Sequence, residues 1–211
     1  IFPNHSFSCC NLGYLYLTLG DIGKAEETTL KALEIDPKLA NAHCNLGLIY
    51  KERDQIAEAI ESFKLAIKLD YFLSDGYINL GLIYKSQNKL DEAIEITRKA
   101  IEIQPNCSIA FLNLGYFLKE KGNLKEAALE TKKAIEINPL LTKANLNLSA
   151  IMKDLGDIET AITYAQRELH IKPNDRDASQ LISELIKDLR PAELRIKKLK
   201  TIINILMKRE D

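Results

Sequence analysis

Soft metal ligands occur in two sequence-adjacent pairs, Cys9-Cys10 and His43-Cys44. Four such ligands around one ion would make a tetrahedral zinc site. Neighbours on a helix diverge by about 100°, however, so adjacent residues do not converge on one ion. No metal site is expected, and Cys9 and His43 are read as filling partly buried positions. Catalysis would need a nucleophile beside a base, carboxylates paired in a pocket, or a glycine-rich phosphate loop. The nine glycines fall instead chiefly in Leu-Gly pairs and turns with no strand ahead of them, and the acidic residues fall mostly on solvated helix faces. No enzymatic activity, no catalytic residue and no cofactor are expected. Asn4-His5-Ser6, Asn106-Cys107-Ser108 and Asn147-Leu148-Ser149 fit the glycosylation pattern. Without a secretion signal in Ile1-Phe2-Pro3-Asn4-His5 they are read as coincidental.

One series of side chains does ask for a chemical role. Asn11, Asn45, Asn79, Asn113 and Asn147 recur at one constant spacing, each directly before a leucine. Asparagine is a poor helix former, so five at one position are not there for helix stability. On a helical wheel centred on Asn45, Asn41, Leu48, Ile49 and Glu52 lie within about 60° of it, Lys51 lies near −120°, and Leu46 and Tyr50 fall on the opposite side. The Asn face thus points away from the apolar interior, with Lys51, Lys85, Lys119 and Lys153 along its edge. An amide carries both a donor and an acceptor, which matches a peptide group whatever its side chain. The alternative is that each Asn bonds a neighbouring helix and holds the structure together.

The elements that position these residues follow from the same period. Pro37, Pro105, Pro139 and Pro173 keep it, Tyr71 fills the gap, and Pro3 begins the series. Leu12-Gly13, Leu46-Gly47, Leu80-Gly81, Leu114-Gly115 and Leu148-Ser149 keep it too, as do Ala25, Ala59, Ala93, Ala127 and Ala161. A second series of Ala32, Ala66, Ala100 and Ala134 is broken at Glu168. Within each unit two helical-period segments flank a short turn such as Leu19-Gly20-Asp21 or Leu155-Gly156-Asp157. Glycine on one helix opposite alanine on the other lets two backbones lie close. No single hairpin buries its own apolar face, so the units must stack.

A repeated helical hairpin with this Leu-Gly, Tyr, Ala, Ala and Pro spacing resembles the tetratricopeptide repeat family over Ser6 to Asp175. The resemblance implies an all-α, right-handed α-solenoid of stacked antiparallel hairpins. Its repeats would be residues 6–39, 40–73, 74–107, 108–141 and 142–175. Residues 1–5 would end an upstream repeat, 176–190 would be a capping helix, and 191–211 a basic amphipathic helix burying Ile196, Leu199, Ile203 and Leu206. Cys9, His43 and Asn145 depart from the usual first aromatic, kept by Tyr77 and Phe111. Thr29, Thr97, Thr131 and Ala165 replace the second, kept by Phe63, which predicts looser packing there. The Asn series is similar to the asparagine ladder in the tetratricopeptide superhelix of the O-linked N-acetylglucosamine transferase. That likeness implies binding to the backbone of an extended peptide, with the flanking lysines favouring acidic ligands. Relatives that clamp a terminal carboxylate use Lys or Arg where this chain has Cys44, Asn45, Ile78 and Asn79.

Composition narrows the partners. A 46% hydrophobic content suffices for a core, while a net charge of −1 gives no field to recruit nucleic acid or a membrane surface. Residues 190–211 carry seven basic against three acidic side chains, +4, leaving −5 for the rest. Four cysteines make no disulfide framework, so a reducing, cytoplasmic setting is expected. The resulting expectation is a module that binds a protein or an extended peptide. The rivals are a substrate-recognition arm of a glycosyl- or sulfotransferase-type enzyme, or a structural scaffold self-associating through its final helix.

Overall fold

The computed structural model describes residues 4–188. Among them are eleven α-helices and no strand. They are α1 (Asn4–Thr18), α2 (Ile22–Ile35), α3 (Ala40–Glu52), α4 (Ile56–Leu69), α5 (Ser74–Ser86), α6 (Leu90–Ile103), α7 (Ser108–Glu120), α8 (Leu124–Ile137), α9 (Ala144–Asp154), α10 (Ile158–Ile171) and α11 (Arg176–Asp188). Of the expected upstream tail at residues 1–5, Asn4 and His5 belong to α1 and the rest lies outside the described residues, as does the expected final helix at 191–211 with Ile196, Leu199, Ile203 and Leu206. The chain divides into two compact units, residues 1–113 and 114–211. In the first, α1 and α2, α3 and α4, and α5 and α6 pair as hairpins, and the first helices α1, α3 and α5 lie side by side. In the second, α9 packs on both α8 and α10, and α11 covers α10 and α9.

Every hairpin turn is closed the same way. Gly20, Gly122 and Gly156 take φ of 79°, 86° and 81°, and in the same register Asp54 and Asn88 take 60° and 61°. Only Gly, Asn and Asp visit this left-handed region at low cost, which is why the turns hold these types. Two backbone bonds complete each end, as where Asp21 N–H donates to Tyr16 O at 3.0 Å and Gly20 N–H to Leu17 O at 3.0 Å. Asp21 and Asp157 then cap the next helix, their Oδ1 atoms accepting from Lys24 N–H and Thr160 N–H at 3.1 Å.

The second helices stop two residues short of each proline. Proline disfavours helix in the residue before it, yet α4 stops at Leu69 although Tyr71 stands where proline would. In three of the five repeats the side chain before that position adds a cause. Asp36, Asp70 and Asn138 accept from the backbone N–H two residues on, at 3.0, 2.9 and 3.1 Å, forming turns that compete with helix.

Packing inside a hairpin rests on pairs sixteen residues apart. A Cβ added to Gly81 would come within 2.7 Å of Thr97 Oγ1, and one on Gly47 within 2.6 Å of Phe63. Thr29, Thr97 and Thr131 are fully buried, with the Oγ1 atoms of Thr97 and Thr131 bonded to Ala93 O and Ala127 O at 2.7 and 2.8 Å. The looser packing expected at these threonines is therefore absent: the helices close up until the glycine meets the smaller side chain. The fifth pair trades sizes, Ser149 facing Ala165, and Ser149 Oγ donates to Ala161 O at 2.6 Å.

The fifth repeat also distorts where its alanine series breaks. Tyr77 and Ala100 share one core cluster in unit 1. At the corresponding positions of unit 2 stand Asn145 and Glu168, 2% and 0% exposed. Glu168 Oε1 accepts from Lys143 N–H at 2.6 Å, and Lys143 is held at φ 69°, so α9 begins only at Ala144. Asn145 Oδ1 and Glu168 Oε2 are both buried acceptors without a donor. At the far end Asp175 Oδ1 accepts from Ala178 N–H at 3.0 Å, starting α11, whose Ile182 and Leu185 are buried. That backbone bond, with Lys172 beside it, holds the Asp175 carboxyl below its usual range.

Two stability outcomes follow. Gly81→Ala is expected to cost about 1–3 kcal/mol through overpacking, and adding Thr97→Ala should recover most of it, read as a coupling in a double-mutant cycle by chemical unfolding. An absence of coupling would mean that the pair is not in contact. Glu168→Gln keeps the acceptor for Lys143 and turns the second, donorless atom into a donor, so thermal unfolding should show a gain of about 1 kcal/mol.

Candidate functional site

The side-by-side arrangement of α1, α3 and α5 brings Asn11, Asn45 and Asn79 into one cleft of about 530 Å³ within unit 1. Asn41 and Asp75, each one helical turn before an Asn of the series, line it too. Its apolar wall comes from Tyr14, Leu48 and Leu82, which share one position of the repeat, with Ile78 and Ile109. Asp75 is the one charged residue among the described lining residues.

The five asparagines are not equivalent. Asn11 is exposed. Asn45 is 7% exposed, and its Nδ2 donates to Cys10 O at 2.9 Å and to Cys10 Sγ at 3.4 Å, tying α3 to α1. Asn79 is half-buried, and its Nδ2 donates to Asp75 O at 2.9 Å, one turn back in the same helix. Asn113, half-buried, closes unit 1 outside this cleft. Asn147 belongs to unit 2, where its Nδ2 donates to Thr131 Oγ1 at 3.2 Å and joins α9 to α8. The wheel placed Asn45 on an open face; it is instead largely covered, because α1 lies against it.

None of the four lysines lines the cleft. Lys51 and Lys85 are half-buried in the last turns of α3 and α5. In unit 2 the ammonium of Lys119 meets Asp154 at 3.3 Å, and that of Lys153 meets Glu184 at 3.0 Å, so each pairs one first helix with the next helix in register. Glu184 is in consequence held below the usual carboxylate range by the Lys153 and Gln180 bonds. Asp75 and Ile109 were not singled out by their sequence positions. Their signal was available, since Asn41, Asp75 and Ile109 recur in the period of the Asn series, one turn ahead of it.

Cys10, Cys44 and Cys107 also face the cleft, and all four cysteines are free. Burial, reinforced by the Asp75 carboxylate and Cys10, pushes the Cys44 thiol up to about 12; burial, with Cys9 beside it, pushes Cys10 up to about 11. Both are therefore protonated at neutral pH and behave as small apolar groups, since the thiolate is the nucleophile and the metal ligand. His43 Nε2 lies 2.9 Å from Pro37 O, and no three His, Cys, Asp or Glu side chains among the described residues converge on a point that could hold a metal. None of the described helices is long and apolar enough to cross a membrane. With a thiol-alkylating reagent at neutral pH, Cys9 and Cys107, both half-buried, should label well before Cys10 and Cys44, with mass spectrometry counting two fast and two slow sites. Rapid loss of all four would contradict the burial of this wall.

Known proteins share both the repeat and the fold. A tetratricopeptide repeat profile matches residues 40–70 and 74–107, a second, for the TPR repeat, matches 13–53, and a third, again for the tetratricopeptide repeat, matches 109–139. No curated protein sequence matches the chain significantly. Among solved structures, PilF of Pseudomonas aeruginosa is similar with a TM-score of 0.82 at 21% identity, over 97% of this chain and 90% of that one. PilW, a type IV pilus biogenesis factor, is similar with a TM-score of 0.77 at 22% identity, over 86% of each chain. YrrB, a TPR protein with an unusual peptide-binding site, is similar with a TM-score of 0.63 at 23% identity, over 86% of this chain and 91% of that one. Since the repeat profiles together cover residues 13–139 apart from 71–73 and 108, and the same all-helical hairpin fold recurs in these structures, the chain belongs to the tetratricopeptide repeat family.

Proposed function

We propose that this protein is a non-catalytic interaction module whose unit-1 cleft takes an extended segment of another protein, with Asn11, Asn45 and Asn79 bordering its path. The observation that carries the reading is the cleft itself: three amides in one register, open along three adjacent first helices and backed by an apolar wall. Packed helices lie about 10 Å apart and an extended chain advances about 3.3 Å per residue, so one rung would meet every third residue of the ligand. An amide reads a peptide group whatever side chain it bears, and the apolar wall adds side-chain preference. YrrB, with its peptide-binding site, has the same hairpin fold put to such use elsewhere. Four free thiols suit a reducing cytoplasm, and the protonated state of Cys10 and Cys44 gives the wall no nucleophile.

The experiment uses peptides selected from a displayed random library against the full chain. Asn11→Ala with Asn79→Ala is the informative variant, because neither amide joins two helices, whereas Asn45 does. Each lost ligand bond is worth about 0.5–1.5 kcal/mol, so affinity should fall at least about tenfold while the melting temperature holds. Unchanged affinity with a lowered melting temperature would make the series structural and overturn the reading.

A further inference from the structure

We infer that the segment taken by the unit-1 cleft carries a Lys or Arg beside apolar side chains, the cation meeting Asp75; the inference rests on the cleft being a peptide site. The charge of the cleft is one-sided. Asn45 directs its Nδ2 hydrogens to Cys10, and Asn79 directs one to the Asp75 carbonyl. These partners are a backbone carbonyl and, for Asn45, a thiol sulfur, so the nitrogens must face them and the Oδ1 atoms must face the other way. The bonds of both amides among the described residues run from Nδ2 and none to Oδ1, and the exposed Asp75 lines the same cleft.

Asn11 and Asn41 add amides that can donate as well as accept, so the one net charge of the lining is the negative one of Asp75. No Lys or Arg balances it there, because the lysines of the series lie off the cleft. A ligand that donates is favoured: backbone N–H groups toward Asn45 and Asn79, and an ammonium or guanidinium toward Asp75. A ligand carboxylate would meet the like charge of Asp75 and lose affinity, which reverses the acidic preference that the lysine series implies. Leu48 and Leu82 sit on adjacent first helices, so the apolar side chains they take would stand about three residues apart in an extended chain.

Asp75 is a clean site for substitution, because it is exposed and Asn79 bonds its backbone oxygen, not its carboxylate. The probe is a positional-scanning library of short acetylated, amidated peptides, long enough to span the three first helices, bound to the full chain. Enrichment of Lys and Arg at one position next to apolar residues is expected. In Asp75→Asn the selected basic peptide should bind at least about fivefold more weakly and with a flatter salt dependence, while Asp75→Lys should shift that position to Asp and Glu. Circular dichroism checks that both variants keep their helices. Binders without a basic preference, or a preference that Asp75→Lys leaves intact, overturn the inference and leave the peptide site standing. A library that yields no binder at all overturns both.

Discussion

The contact between a small residue on each first helix and the residue sixteen positions on governs what the rest of this molecule can do. Gly81 against Thr97 and Gly47 against Phe63 leave no room for a Cβ, so the separation of the two helices is set by the bulk on the second helix alone. The fifth repeat shows that the constraint concerns the sum and not the glycine: Ser149 is accepted because Ala165 gives way. Once each hairpin has a fixed thickness, successive first helices come side by side, and residues one repeat apart face the same space. The cleft follows from this arithmetic, since side chains at one register position gather there.

How much of this was legible in the sequence differs by element. The hairpins and their turns were, because glycine, proline and aspartate act locally and repeat. The equivalence of Asp54 and Asn88 with Gly20 is of the same kind, a left-handed position that only three residue types fill cheaply. The packing of Thr29, Thr97 and Thr131 was not, since a side chain's size says how large a space it can fill and not how far a neighbouring backbone will move in. Nor was the late start of α9. The break at Glu168 was visible, but its cause, a buried carboxylate capturing the Lys143 N–H, joins positions 25 apart.

For the site, a helical wheel predicts direction and not cover. Asn11, Asn45 and Asn79 do line one cleft, but the wheel treated each helix as isolated, so it could not show that α1 would cover Asn45 or that Lys119 and Lys153 would find carboxylates on the next helix. Such exposed pairs contribute little to stability, typically under about 1 kcal/mol. Their consequence lies in charge: a cation held by the chain's own acid attracts ligands weakly. The charge character of a repeat surface is thus decided by pairing between repeats, which a single repeat does not reveal.

The two readings of the Asn series, ligand contact and structural brace, are then less opposed than they look. A carboxamide has two ends, and a helix offers its carbonyls nearby. With Nδ2 bonded to Cys10 or Asp75, the amide is held in one orientation and its oxygen is presented at fixed height along the cleft. Aspartate could not make that internal bond, alanine would present nothing, and lysine would present the opposite polarity. On the proposed reading asparagine would do both at once, and the internal bond would remove rotamer freedom that a ligand otherwise has to freeze. A brace that points an acceptor outward is a pre-organised contact, which is why the rung with the least internal bonding, Asn11, should be the one most able to adapt to what the cleft receives.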